Sequence, residues 1–356
     1  TKTCRNYTIP LTVASNNLIF GLPKFLTEFD VADWVDVITN RNPAIAGSLI
    51  CGAENVTAKC SISATFCQPA KGEITRTRRL CWWLPMVLAY WDPPALDKSK
   101  YSFVEHAISQ GYSVFYYDRL GVGESSLVSG YVSQLSNRIS ILTQLTKLVK
   151  QGLYVGDLGK PDKVVLLGHN FGSSAVFEAV SADIGLADGV VLTGFSVNKT
   201  YLNGIDTGEA LGVRIAALQS PKKWAKLDSG YLTSVDVYSN VAIFFKAPDY
   251  DPAIAGYSEA TKQPASVMEF LTSQAIGANP PLKYKGVAMI ISSKFDFPWC
   301  TGDCDAILEN PGAEYFRGTK AFKAVSYPGA GHGLNLHLNA KGSFEEITDF
   351  LSANGL

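Results

Sequence analysis

The sequence predicts an α/β fold: a mostly parallel central sheet flanked by helices, with a helical cap inserted between core strands. Three observations predict it. From residue 101 onward, short apolar runs of strand length alternate with segments of helical periodicity. The alternation breaks once, over residues 196–281, and then resumes. One apolar run leads through a glycine-flanked turn directly into a helix. Strands and helices that alternate in this way bury a parallel sheet on both faces.

Taken in order, residues 8–14 and 61–66 read as β-strands, with a stretch between them punctuated by Asn, Pro and Gly. Residues 103–110 have helical spacing and stop at Gly111; residues 112–117 follow as a strand. Ile139, Leu142, Leu145, Leu148 and Val149 mark a long helix within residues 132–153. Residues 163–167 and 189–193 are short buried strands, and residues 172–182 form the helix between them. Strand signal returns at residues 287–292 and 321–327, and a helix over residues 343–352 closes the chain. The expected division is therefore residues 1–195 as the N-terminal part of the core, 196–281 as the cap and 282–356 as the C-terminal part of the core.

Composition narrows the function. The 356 residues are 47% hydrophobic and 18% charged, which suits one large domain with an insertion. The net charge is −1 and no basic run occurs, so nucleic acid and anionic membranes are poor partners. No apolar run approaches the roughly 18–20 residues that span a bilayer. The chain opens at Thr1, as expected of a processed, mature N-terminus. The triplets Asn6-Tyr7-Thr8, Asn55-Val56-Thr57 and Asn198-Lys199-Thr200 are candidate glycosylation sites. Of the seven cysteines, Cys4, Cys51, Cys60, Cys67 and Cys81 lie in the first quarter, and Cys300 and Cys304 share a short loop. No C-x-x-C pair or nearby histidine supports zinc, so disulfides in a secreted or lumenal protein are expected, with Cys300 bonded to Cys304. Seven is odd, and Cys81, beside Trp82 and Trp83, is the expected free thiol.

The chemistry centres on Val164-Val165-Leu166-Leu167-Gly168-His169-Asn170-Phe171-Gly172-Ser173. A strand runs into G-x-N-x-G and then into a helix, the context of a nucleophile elbow. Such a turn lifts the central side chain above the sheet, and the N–H of Phe171 points into the same space as an oxyanion donor. An acid and a base follow in matching order: Asp296 after the strand at 287–292, and His332, in Gly331-His332-Gly333, after the strand at 321–327. Of the other histidines, His106 reads as structural and His337 as a weaker rival to His332. Ser173 and Ser174 lie past the turn, and Ser125 reads as a turn or cap residue.

These residues, with Tyr90-Trp91-Asp92, the run from Tyr117 through Asp118, Arg119, Gly121 and Gly123 to Ser125, and Phe295-Asp296-Phe297-Pro298, resemble the α/β-hydrolase superfamily, most closely secreted fungal members. The resemblance implies that fold over nearly the whole chain, but no substrate. Two departures stand out. Asn170 occupies the place where such proteins carry serine, and an amide is no nucleophile. Such proteins also carry His-Gly after the third strand, where a gapless count places Trp82 and Trp83. Three readings follow: an enzyme repurposed for non-hydrolytic lyase, isomerase or cyclase chemistry; a serine esterase-type hydrolase inactivated by the Ser-to-Asn change; and a non-catalytic binding protein. An Asp-to-Asn change in a dehalogenase- or epoxide-hydrolase-type enzyme ranks last. The inserted segment carries Trp224, Tyr231, Tyr238, Phe244, Phe245, Tyr250, Tyr257 and Phe270, which suggests a lipophilic or aromatic small-molecule substrate. No phosphate loop, EF-hand or H-E-x-x-H motif occurs, and neither cofactor nor metal is expected.

Overall fold

The computed structural model describes residues 2–39, 47–70, 79–84, 88–198, 200, 212–273 and 280–356; for 79–84, 88, 89 and 273 it describes the backbone alone. Eight strands form one sheet in the order β1-β2-β4-β3-β5-β6-β10-β11. They are β1 (Lys2–Phe20), β2 (Ile50–Pro69), β3 (Arg79–Leu84), β4 (Ser113–Tyr117), β5 (Lys163–His169), β6 (Gly189–Thr193), β10 (Val287–Ser293) and β11 (Ala321–Tyr327). From β4 to β11 all neighbours are parallel, while β2 pairs antiparallel with both β1 and β4.

The pleat explains the core. Successive strand residues face opposite sides. Val164, Leu166, Val190, Leu192, Ala288 and Ile290 pack on one side with α3 (Leu135–Lys150) and α4 (Phe171–Ala182). Val165, Leu167, Val191, Met289 and Ile291 pack on the other with α2 (Phe103–Ser109) and α8 (Ala340–Ala353). Local chemistry sets the helix ends. Ser102 Oγ accepts from Glu105 N at 3.0 Å and caps α2, a bond worth about 1 kcal/mol.

The N-terminal strands are much longer than the alternating apolar pattern suggests. Ile9, Leu11 and Val13 on β1 and Ile62, Ala64 and Phe66 on β2 reach one core cluster, and Cys67 near the end of β2 reaches the other. Beyond them the two strands continue as a mainly exposed ribbon, where no apolar alternation is needed. The stretch after β1 holds a helix, α1 (Glu28–Ile38), which the sequence did not suggest.

The inserted segment contains α5 (Val237–Phe244), α6 (Pro252–Thr261) and α7 (Val267–Ser273), and also a three-stranded sheet of β7 (Arg214–Ile215), β8 (Tyr231–Thr233) and β9 (Ala265–Ser266). Phe25, Val31 and Trp34, at and before α1, pack with Val213, Ile215, Leu232, Ile243, Val267 and Met268. The roof is thus built from two separate parts of the chain.

A buried ion network docks this roof on the core. Glu269 of α7 binds Arg119, just after β4, at 3.1 Å, and its other oxygen binds Arg138 of α3. Arg119 also donates to Pro264 O at 2.9 Å. Burial lowers both guanidinium pKa values, that of Arg119 to about 10. Two cations share one carboxylate, so its removal strands both in a low-dielectric interior. Glu269→Gln is expected to cost about 3–5 kcal/mol of stability in urea unfolding. A loss under about 1 kcal/mol, the range of surface pairs, would show that the network holds nothing together.

Candidate active site

Strand β5 ends at His169 and helix α4 begins at Phe171, leaving Asn170 alone to make the turn. Its φ of 52° and ψ of −119° lie outside the regions that L residues ordinarily adopt, a conformation that costs of order 1–3 kcal/mol. The turn forces the strand end against the first turn of the helix. A Cβ on Gly168 would come within 2.4 Å of Gly172 C and Ser173 N. Asn170 N donates to Thr193 O at 3.0 Å, and Ser174 N donates to Asn170 O at 3.0 Å. Both backbone ends of the strained residue are therefore tied, to β6 on one side and to α4 on the other.

Asp296 and His332 meet. His332 Nδ1 and Asp296 Oδ2 are 2.7 Å apart, and both side chains are fully buried. The other carboxylate oxygen, Oδ1, accepts from Trp299 N at 3.0 Å and caps the short helix Phe297–Cys300. Gly302 N donates to Asp296 O at 3.0 Å, and the Cys300–Cys304 disulfide closes the same loop. Lys294 N and Phe295 N donate to Tyr327 O and Ala330 O, so the acid loop is bonded to the chain leading into His332. With Nδ1–H held by the carboxylate, the lone pair of His332 sits on Nε2. Nε2 is buried and has no hydrogen-bond partner among the described residues.

Aromatic groups frame the turn. Trp299 Nε1 donates to Asn170 Oδ1 at 3.3 Å. An indole N–H can only donate, which fixes the oxygen of the Asn170 amide toward Trp299. The Phe244 ring lies 5.6 Å from that of His332, and Phe270 meets Phe171 edge-on at 5.8 Å. Trp34 of α1 in turn meets Phe270 at 6.1 Å. Of the eight aromatics noted in the inserted segment, Phe244 and Phe270 are the two with ring contacts to Phe171 or His332. Trp224 and Tyr231 pack together, Phe245 and Tyr250 pack on His337, and Tyr238 is 78% exposed.

Two further histidines lie nearby, and Nε2 of His169, like that of His332, is buried with no hydrogen-bond partner among the described residues. Thr193 Oγ1 donates to Gly168 O at 2.9 Å, so the 2.9 Å contact from His169 Nδ1 to that hydroxyl makes Nδ1 the donor. His169 stacks on Tyr90 at 4.6 Å and meets the His332 ring at 4.7 Å in a tilted arrangement, and burial drives its pKa well below the ordinary value. Gly194, with φ of 50°, makes room for both rings: a Cβ there would lie 2.6 Å from His169 Cε1 and 2.9 Å from His332 Cε1. His337 Nε2 accepts from Gly331 N at 3.0 Å and from Lys246 N at 3.1 Å, while Nδ1 donates to Gly333 O at 3.0 Å. With both ring nitrogens committed to backbone, His337 staples the His332 loop to the end of α5.

The remaining residues fall as follows. Trp82 and Trp83 lie within β3, paired with Phe115 and Tyr116 of β4 and with Leu166 and Leu167 of β5, and not in the turn after the strand. The gapless count misplaces them because β3 runs on to Leu84, held by ladders on both sides. Their side chains, and that of Cys81, lie outside the described residues, as do residues 85–87 and Lys199. Ser173 Oγ donates to Thr193 O, Ser174 Oγ to Asn170 O, and Ser125 Oγ to Asp118 O. Asn6 and Asn55 are exposed on β1 and β2, and Asn198 is half-buried after β6. Cys4 is bonded to Cys67 across the β1–β2 pair, with Cys51 exposed and Cys60 half-buried as free thiols.

No family model and no curated protein sequence matches the chain. Solved structures do. The chain is similar to an esterase from Exiguobacterium antarcticum, with a TM-score of 0.54 at 12% identity over 82% of this chain and 96% of that one. It is similar to a bromoperoxidase from Bacillus anthracis, with 0.50 at 18% identity over 83% and 96%. An α/β-hydrolase-fold protein from Chitinophaga pinensis gives 0.50 at 12% identity over 82% and 94%. Together with the strand order, these likenesses show the α/β-hydrolase fold.

The His337 bonds set a pH dependence. Burial, opposed by Gly333 and Asp249, lowers its pKa from 6.5 to about 4. The unfolded chain therefore binds this proton first as the pH falls. The contribution is fully present above pH 6.5 and is lost between there and about pH 4, up to about 3 kcal/mol. Urea unfolding across that range should show the loss in the wild type and a shallower one in His337→Gln. Parallel pH profiles for the two proteins would disprove this role.

Proposed function

We propose that this α/β-hydrolase-fold chain is an enzyme repurposed for non-hydrolytic acid–base chemistry on a lipophilic small molecule, of lyase, isomerase or cyclase type. The observation that carries the reading is an elbow with its strained backbone intact and an amide at its apex, in the same site as a histidine oriented by a carboxylate at 2.7 Å.

The roles follow from the hydrogen atoms. Asp296 holds Nδ1–H, which leaves His332 Nε2 to take a proton from a substrate carbon or hydroxyl. The buried carboxylate then stabilises the imidazolium. Returning the proton to a different substrate atom gives isomerisation; delivering it to a leaving group gives elimination. Asn170 is neutral and not nucleophilic. Its amide orients a substrate carbonyl or hydroxyl, and the Phe171 N–H supports negative charge that develops on that oxygen. Phe171, Phe244, Phe270 and Trp299 favour an apolar substrate.

The main alternative is an esterase-type hydrolase inactivated by asparagine, which the preserved elbow backbone favours. Against it, the segment after β3 reads Pro85-Met86-Val87-Leu88-Ala89 and carries no His-Gly. We place the protein in the secretory lumen or outside the cell. Two disulfides and the exposed Asn6 and Asn55 support this.

Asn170→Ser and the wild type are to be assayed on short- and medium-chain p-nitrophenyl esters. Neither is expected to hydrolyse them. Hydrolysis by the serine form, with a covalent acyl-enzyme seen by mass spectrometry, would decide for the inactivated esterase. On a lipophilic substrate that the wild type does turn over, His332→Ala should lower the rate by about 10²-fold or more. An unchanged rate would remove His332 from the mechanism.

A further inference from the structure

The backbone conformation at Asn170 sets its side chain against the nitrogen that follows it. In an L residue, a ψ of about −120° turns the next nitrogen to eclipse Cβ. At ψ −119° the Phe171 nitrogen is in that position relative to Asn170 Cβ. A five-membered ring through Asn170 Cγ, Cβ, Cα and C and the Phe171 nitrogen requires this torsion. An asparagine in helical or extended backbone must leave its energy well to reach it. Here the fold holds it, and the strain of order 1–3 kcal/mol is already offset by surrounding contacts.

Three other features favour ring closure. Phe171 is the first residue of α4, so its N–H has no acceptor within the helix. Trp299 Nε1 donates to Asn170 Oδ1 at 3.3 Å, which polarises the amide carbonyl and stabilises charge gathering on its oxygen. His332, whose ring lies 4.7 Å from that of the residue preceding Asn170, has a buried Nε2 with no partner among the described residues and can serve as the base.

We propose that Asn170 is a self-modification site, which cyclises onto the Phe171 nitrogen as a succinimide and opens to aspartate or isoaspartate. The Phe171 nitrogen forms a bond to Asn170 Cγ, and its proton passes to the departing amide. The Cγ–Nδ2 bond breaks and ammonia leaves. Water then adds to the ring. Attack at the side-chain carbonyl restores the peptide with an aspartate at position 170; attack at the main-chain carbonyl gives isoaspartate. In sum, one water is consumed and one ammonia released, with no change of oxidation state. An aspartate at the elbow, unlike the amide, is a carboxylate that can attack an electrophilic carbon.

The test needs neither substrate nor variant and is independent of the reaction proposed above. Purified protein is held in mildly alkaline buffer beside a sample denatured in urea. The peptide spanning residue 170 is followed by mass spectrometry, with Asn240 and Asn335 as internal references. A gain of about one dalton at residue 170 is expected, with a species lacking ammonia as intermediate. It should form at least about tenfold faster in the folded than in the denatured sample, a barrier difference of about 1.4 kcal/mol. Protein isolated already converted at residue 170, with both reference asparagines intact, is the same result reached earlier. Conversion no faster in the folded protein than in the denatured one overturns the proposal.

Discussion

Everything at the candidate site depends on the single residue between β5 and α4. Because one residue must reverse the chain from a strand into a helix, it takes a backbone conformation that costs energy, and the neighbours must make up the difference. They do so with the N–H of Asn170 bonded to β6, its carbonyl bonded to Ser174, and a glycine at 168 where any side chain would strike the helix. The same geometry leaves the Phe171 N–H without an acceptor inside the helix, sets residue 170 toward Trp299 and brings the His169 ring against that of His332. Chemistry at the turn is therefore a property of the backbone first and of the residue type second.

The histidine is placed by a different logic. Nothing in β11 itself orients His332; its loop is pinned from three sides. Asp296 fixes the imidazole, His337 fixes Gly331 and Gly333, and α5 accepts Gly333 N through Phe244 O at 2.7 Å. The last two contacts couple the base to the roof, and the roof is coupled to the core by Glu269. Displacing α5 would break the Gly333–Phe244 bond and displacing α7 the Glu269 ion pairs, so roof and base are tied to each other and to the core.

How much of this could be read from residues depends on burial. The strands at 163–167, 189–193 and 287–292 were legible because a parallel sheet covered on both faces demands continuous apolar runs, whereas the one at 321–327 lies half-buried at the sheet edge and keeps only an interrupted run. The β1–β2 ribbon was not, since half of it covers no core and needs no pattern. Strands β7 and β9, of two residues each, are too short to carry a period. In the site, Asn170, Asp296 and His332 could be named from their order along the chain. Trp299 and Trp34 could not, because a tryptophan that reaches a functional side chain looks in sequence like one that fills the core. His337 and His332 differ only in what their nitrogens bond, which spacing does not encode. The tryptophans of β3 were misplaced for a related reason, since the length of a strand between two ladders is set by its partners.

The asparagine is best understood against this background. Had the site lost its purpose altogether, nothing would maintain the strained turn, the 2.7 Å acid–histidine bond and a glycine at 194 that spares both imidazoles. Each is costly or restrictive, and each matters only if a side chain at 170 must stand at a defined height beside a base. A serine would use that arrangement to form a bond to substrate. An amide in the same place can hold an oxygen still while His332 moves a proton, and it experiences the same eclipsed torsion that a serine would tolerate without consequence. The elbow thus imposes on Asn170 both the position that makes it useful and the geometry that makes it chemically vulnerable.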